Sequence, residues 1–253
     1  MNAVQETPQT GTTGHPAAAT RPQPWIDDPY AQALHTGRGP LFLRRSDGWL
    51  LPLDVERWCA APGAADTSLL RRCHAPVLDI GCGPGRLVAA LTALGLPALG
   101  IDVSPAAVAR TRGAGAAVLR RSVFDRLPAE GRWATVLLVD GNIGIGGDPR
   151  ALLCRLRQLT APGGRLLVEA AAYDVDERLT VRVEDARGRH SRDFPWARLG
   201  PAALHTAATA AGWIPVDTWE SDGRCFAELT IQPMPAPSAP ADTGRATDTT
   251  WLS

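Results

Sequence analysis

Lysine is absent from this chain, and all 26 basic residues among its 253 are arginine. That excludes every chemistry that needs a Lys nucleophile, a Schiff base or the Lys of a phosphate-binding loop. Charge of either sign in excess is also lacking. With 26 acidic residues the formal net charge is zero at pH 7, so no global field draws the chain to nucleic acid or to an anionic membrane. A small-molecule partner is expected, with no nucleic acid and no membrane. Cysteine is sparse. Cys59, Cys73, Cys82, Cys154 and Cys225 are odd in number, scattered and free of any Cys-x-x-Cys pair. Neither a disulfide framework nor a zinc site is indicated, and no metal is expected. These residues read as reduced thiols in a cytoplasmic protein. There is no run of ~18 apolar residues to cross a membrane, and the first residues lack the basic and apolar regions of a secretion signal. No internal repeat is present.

What is there suffices for one sizeable core, since 45% of the residues are hydrophobic. Residues 1–24 and 233–253 are rich in Pro, Thr, Ala and Gly and are expected to be disordered tails. Residues 25–72 read as an N-terminal cap: a helix in "DDPYAQALHTG", two strands around a Ser-Asp-Gly turn in "PLFLRRSDGWLLPL", and a helix in "DVERWCAA" capped by Asp54. Residues 73–232 alternate strand and helix, which predicts a doubly wound α/β fold with a mostly parallel sheet. Gly95 stops the first helix, Ser104-Pro105 opens the second, and Asp148-Pro149 opens a third. The last two strands, "WIPVDTWE" and "RCFAELTIQ", flank Ser221-Asp222-Gly223. They form a hairpin, so one strand of the sheet runs antiparallel.

The stretch "VLDIGCGPGR" is the first β-α turn of such a sheet, where ligands sit at the carboxyl ends of the strands. Its glycines let a ligand approach the backbone. Asp102 ends the next strand 17 residues after Gly85, near the ~20-residue offset at which an acid takes ribose hydroxyls. Loop and acid together point to an adenosine-containing ligand. A dinucleotide loop runs Gly-x-Gly-x-x-Gly, whereas Gly81, Gly83 and Gly85 run Gly-x-Gly-x-Gly behind Asp79. An acid there repels a pyrophosphate and suits an ammonium group.

With "LGIDVSP" and "LTAPGGRLLVE", the loop resembles class I S-adenosylmethionine-dependent methyltransferases of the small-molecule type, over roughly residues 77–231. The resemblance implies a seven-stranded sheet with a reversed last strand. It implies S-adenosyl-L-methionine as cofactor and S-adenosyl-L-homocysteine as product. It lays Asp79 and the loop Gly81, Cys82, Gly83 and Gly85 along the methionine part, Asp102 on the ribose and Val103 against the adenine. Ser122 and Val123 stand where the family often has an acid meeting the adenine, with Asp125 slightly later.

After the fourth strand of this sheet, "DGNIGIGGDP" falls where the family positions its methyl acceptor, with Asp140 and Asn142 as polar, candidate catalytic neighbours of the reacting methyl and Asp140 also beside the cofactor. Its glycines, Gly144 among them, are expected to bring backbone close to the sulfonium. Residues 180–200 read as an added hairpin turning at Ala186 to Gly188 on the ligand edge. His190 and His205 are candidate acid-base groups, and Tyr30, Trp49 and Trp196 candidate wall residues. The implied reaction is direct displacement at the sulfonium methyl, in which proximity and alignment supply most of the catalysis. A cofactor-binding module without turnover, a transferase using another part of the cofactor and a nicotinamide oxidoreductase remain alternatives. The acceptor and the oligomeric state are not readable.

Overall fold

Seven strands of this chain form one twisted sheet in the order β10-β11-β7-β6-β3-β4-β5. The computed structural model describes Trp25 and residues 28–231; the tails expected at 1–24 and 233–253 lie outside the described residues. The strands are β3 (Val77–Ile80), β4 (Ala98–Asp102), β5 (Val118–Arg120), β6 (Trp133–Leu138), β7 (Thr160–Ala170), β10 (Ile214–Ser221) and β11 (Arg224–Thr230). The first five are mutually parallel, and β11 runs antiparallel between β7 and β10. This is the expected mostly parallel sheet with a reversed last strand.

Helices cover both faces because the central strands are apolar on both. Leu78, Ile80, Val136 and Leu138 pack against α6 (Pro149–Leu159) and α7 (Pro201–Ala210), while Val77, Leu137 and Leu167 pack against α3 (Ala64–Leu70) and α4 (Arg86–Ala93). Helix starts follow the expected caps. Ser104 accepts from Ala107 N–H at the head of α5 (Pro105–Gly113), and Asp148 accepts from Ala151 N–H at the head of α6.

Four further strands form a second, wholly antiparallel sheet in the order β2-β1-β8-β9. The N-terminal hairpin β1 (Leu41–Arg44) and β2 (Leu50–Leu53) pairs with the insertion hairpin β8 (Asp176–Asp185) and β9 (Phe194–Leu199), so two segments read separately in the sequence are one element. Its turn lies at 186–188 as expected, but the hairpin begins at Asp176, earlier than 180. α1 (Asp28–Thr36) and α2 (Val55–Cys59) pack on this sheet, with Asp54 capping α2. Helices α3 and α7 were not foreseen. Moreover α3, inside the expected cap, contributes Ala65, Leu69 and Leu70 to the core of the main sheet.

Candidate active site

The carboxyl ends of β3 to β6 open into a cavity of about 1080 Å3, roofed by α1, α2 and β9. Gly81, Cys82 and Gly83 line it after β3, Asp102 and Val103 after β4, Ser122, Val123 and Asp125 after β5, and Asp140 and Asn142 after β6. Position follows from topology: consecutive parallel strands release their loops on the same edge. Gly85 and Asp79 lie just outside the lining. Gly85 has φ +85°, and a Cβ there would stand 2.4 Å from Thr111, so the turn admits no side chain. Gly83 has φ +54°, and its Cβ position meets only the Tyr30 hydroxyl, at 3.7 Å, leaving that backbone open to a ligand.

Two acids set the electrostatics of the strand ends. Asp102 Oδ2 accepts Gly83 N–H at 3.0 Å and Oδ1 accepts Ser104 N–H at 2.8 Å, which ties the glycine loop to β4. Burial raises its pKa to about 6 against the pull of those amides. Asp79 is 2% exposed, and its Oδ1 is among the few buried side-chain polar atoms without a hydrogen-bond partner. Burial pushes its carboxyl up to about 7; Arg86 counters this, while Asp140, Asp102 and Asp66 add to it. Burial also pushes the Cys82 thiol far above its usual range, so it is no nucleophile.

Beside them lies an ionic cluster that the sequence reading missed. Arg86, at the start of α4, donates to Asp66 (2.9 and 3.0 Å) and to Asp140 (2.5 and 3.1 Å). Arg224 donates to Asp66 (2.8 Å), Asp140 (3.0 Å) and Glu169 (2.7 and 2.8 Å). Arg57 stands 3.5 Å from Asp140 as well. Burial works against ionisation of Asp66, but Arg86 and Arg224 outweigh it and hold the carboxyl well below the usual range. A cation at a helix N-terminus opposes the macrodipole, so Arg86 heading the apolar stretch "RLVAAL" was the signal for nearby acids. Three arginines therefore surround the Asp140 carboxylate. Its backbone is strained at φ +58°, and its N–H donates to Glu169 at 2.5 Å.

The loop after β6 differs from expectation at its centre. Asn142 Nδ2 donates to Ile80 O (2.9 Å) and Gly81 O (3.0 Å), latching this loop to the glycine loop. Gly144 does not face the cavity: a Cβ there would lie 2.4 Å from the Trp196 ring and 2.5 Å from Ala197 O. Its smallness serves the packing of β9. His190 and His205 are exposed and do not line the cavity, nor does Trp49, whose ring lies 5.3 Å from the Arg198 guanidinium. Tyr30 and Trp196 do line it, joined by Trp25, Trp58 and Phe194, which carry no local signal that singles them out.

A family profile described as a methyltransferase domain matches residues 56–217. The chain belongs to that methyltransferase family. No curated protein matches it. Among solved structures, a Bacteroides fragilis S-adenosylmethionine-dependent methyltransferase in complex with S-adenosyl-L-homocysteine is similar at 19% identity and TM-score 0.67, over 80% of this chain and 92% of that one. The glycopeptide N-methyltransferase MtfA is similar at 16% identity and TM-score 0.53, over 68% and 96%. The sugar N-methyltransferase KedS8 from Streptoalloteichus is similar at 18% identity and TM-score 0.51, over 67% and 87%. These likenesses establish the fold.

Proposed function

We propose that this chain transfers the methyl group of S-adenosylmethionine to a small molecule held between the strand-end loops and the second sheet. The carrying observation is the coincidence, in one cavity, of the open Gly83 backbone and Asp102, with the unpartnered carboxyl of Asp79 one residue behind the lining. Those features fit the cofactor: an ammonium group satisfies an orphan carboxylate, and each Asp102 oxygen keeps a lone pair for a ribose hydroxyl. Gly81, Cys82 and Gly83 would hold the methionine part, and Val103, Ser122 and Val123 the adenine. When bound, the cofactor supplies a sulfonium-borne methyl open to direct displacement.

The chain's own residues do the arranging. Asn142 fixes the glycine loop against the loop after β6, and Arg86 and Arg224 fix Asp140 at the strand end, so the cavity wall is rigid before ligands arrive. Rigid alignment of two reactants supplies much of the barrier reduction in such a displacement. Asp140 and Asn142 act as positioning groups on this reading. The aromatic roof keeps water from the reacting atoms. Among the described residues we divide the chain into a cap of residues 28–63 with the 176–199 insertion and a cofactor-binding unit of residues 64–175 and 200–231. Five unpaired thiols support a cytoplasmic setting. Incubation with methyl-labelled S-adenosylmethionine and a metabolite extract, read by mass spectrometry, is expected to yield a labelled product and S-adenosylhomocysteine. Formation of neither a labelled product nor S-adenosylhomocysteine would overturn the transfer, and no binding of S-adenosylhomocysteine would overturn the cofactor.

A further inference from the structure

The cavity reaches the upper limit of the roughly 300–1,000 Å3 that a single small ligand commonly fills, so it has room for a second molecule beside the cofactor. The wall left over once the strand-end loops are assigned is aromatic. Trp25, Tyr30, Trp58, Phe194 and Trp196 all line it. Trp25 is the hub, with ring centroids 5.1 Å from Tyr30, 5.5 Å from Phe194 and 5.6 Å from Trp196. Tyr30 and Trp58 stand 6.3 Å apart, and Phe194 and Trp196 6.1 Å apart. Edge-to-face contacts of this kind fix the rings in place and leave other faces and edges for a bound ring. Trp58 is nine-tenths buried, and its indole N–H, itself buried, has no hydrogen-bond partner.

A base to take a proton from the acceptor would have to come from the acids of this cavity, which among the described residues already accept the protein's own donors. No histidine of the described residues lines it, and burial, reinforced by Asp102, keeps the Tyr30 hydroxyl protonated. Asp140 is occupied by arginines, Asp148 accepts Ala151 N–H at 3.0 Å, and Asp125 accepts Ser122 N–H at 2.9 Å. An alcohol or phenol acceptor needs such a base; an aromatic amine, unprotonated at neutral pH, does not.

On the cofactor reading above, we infer that the acceptor is a planar aromatic or heteroaromatic amine, bound against the rings of Trp25, Trp58, Phe194 and Trp196 and methylated on nitrogen. The nitrogen lone pair forms the new N–C bond, the C–S bond breaks with its electrons staying on sulfur, and the methylated nitrogen gives its proton to water.

The test starts by titrating the full chain with S-adenosylhomocysteine in a calorimeter; failure to bind rejects the cofactor reading rather than this one. With that ligand saturating, 6-aminoquinoline is expected to bind at least about tenfold tighter than 2-decalone, an uncharged saturated bicycle of similar size. Trp25→Leu should erase that preference while leaving S-adenosylhomocysteine affinity within about twofold; Phe194→Leu is the second variant, should the first fail to fold. Equal binding of the two probes overturns the aromatic assignment. A panel of bicyclic arylamines and the matching phenols, incubated with S-adenosylmethionine, should give N-methyl products in excess. O-methyl products, or none from the whole panel, overturn the nitrogen assignment.

Discussion

Asp79 is a carboxyl group caught between two demands, because the fold buries it and the proposed ligand needs it charged. Its folded pKa of about 7 lies above the ordinary carboxylate value, so its contribution to stability is full below the ordinary value and is lost as pH rises through about 7. Asp102, at about 6, carries the same sign. Asp79→Asn removes the buried charge and is therefore expected to raise the Tm of the ligand-free chain at about pH 8, with the gain fading toward about pH 4. Thermal melts across that range check it; a variant less stable than the parent at the alkaline end would contradict the burial argument. The same substitution should weaken S-adenosylhomocysteine binding, because the ammonium loses its partner. Binding by the parent at about pH 6 should release protons, as a cation draws Asp79 into its ionised form. Calorimetry in buffers of different ionisation enthalpy measures that release, and most of it should vanish in Asp79→Asn. Asp102 tests the ribose side, but its carboxylate also anchors Gly83 and Ser104, so removing it disturbs the loop as well. Asp102→Asn keeps one oxygen and should weaken binding by about 1–3 kcal/mol.

Helix α4 and the loop after β6 show how packing and chemistry divide at the element scale. Arg86 joins α3, α4 and the end of β6 through Asp66 and Asp140, both nearly buried. Arg86→Met leaves Asp66 beside Arg224 alone and Asp140 beside Arg224 and Arg57, and is expected to cost about 3–5 kcal/mol, read as a lowered denaturant midpoint at unchanged m-value. Gly144→Ala drives a Cβ toward Trp196 and Ala197 O, an overpacking worth about 1–3 kcal/mol. Its loss of stability should exceed any selective loss of methyl-transfer rate; a folded, undiminished chain with slow transfer would return Gly144 to the reacting methyl. Elements with local signals were legible in the sequence: the Gly81 to Gly85 turn, the Ser104-Pro105 and Asp148-Pro149 caps, and the closing hairpin. What escaped depends on distance along the chain. Pairing of β1 with β8 joins Leu41 to Asp185, and no local pattern specifies a partner so remote. The Arg86 and Arg224 cluster and the five-ring wall arise the same way, because each is assembled from segments that meet only after both sheets form.

Over the whole molecule, those remote pairings make the second sheet part of the main body. Ala171 N–H donates to Leu199 O at 2.8 Å, Gly200 N–H donates to Val175 O at 2.7 Å, and Arg110 of α5 reaches Leu34 O of α1. The cavity sits across this junction, so a ligand bound there stabilises both sheets, provided that it does not bind the unfolded chain. S-adenosylhomocysteine at about 100 times its Kd should add about 2.7 kcal/mol. For a chain of this size each kcal/mol moves the Tm by about 2–4 °C, so the expected rise is about 5–11 °C. Tryptophan fluorescence reports the roof through Trp25, Trp58 and Trp196 together with the main sheet through Trp133, Trp213 and Trp219, while far-ultraviolet circular dichroism reports chiefly the helices of the main sheet. Both probes should give one coincident transition that shifts by the same amount with ligand. Two transitions, with only the dichroism shifting, would mean that the roof is an independent unit and that the cofactor is held by the strand ends alone.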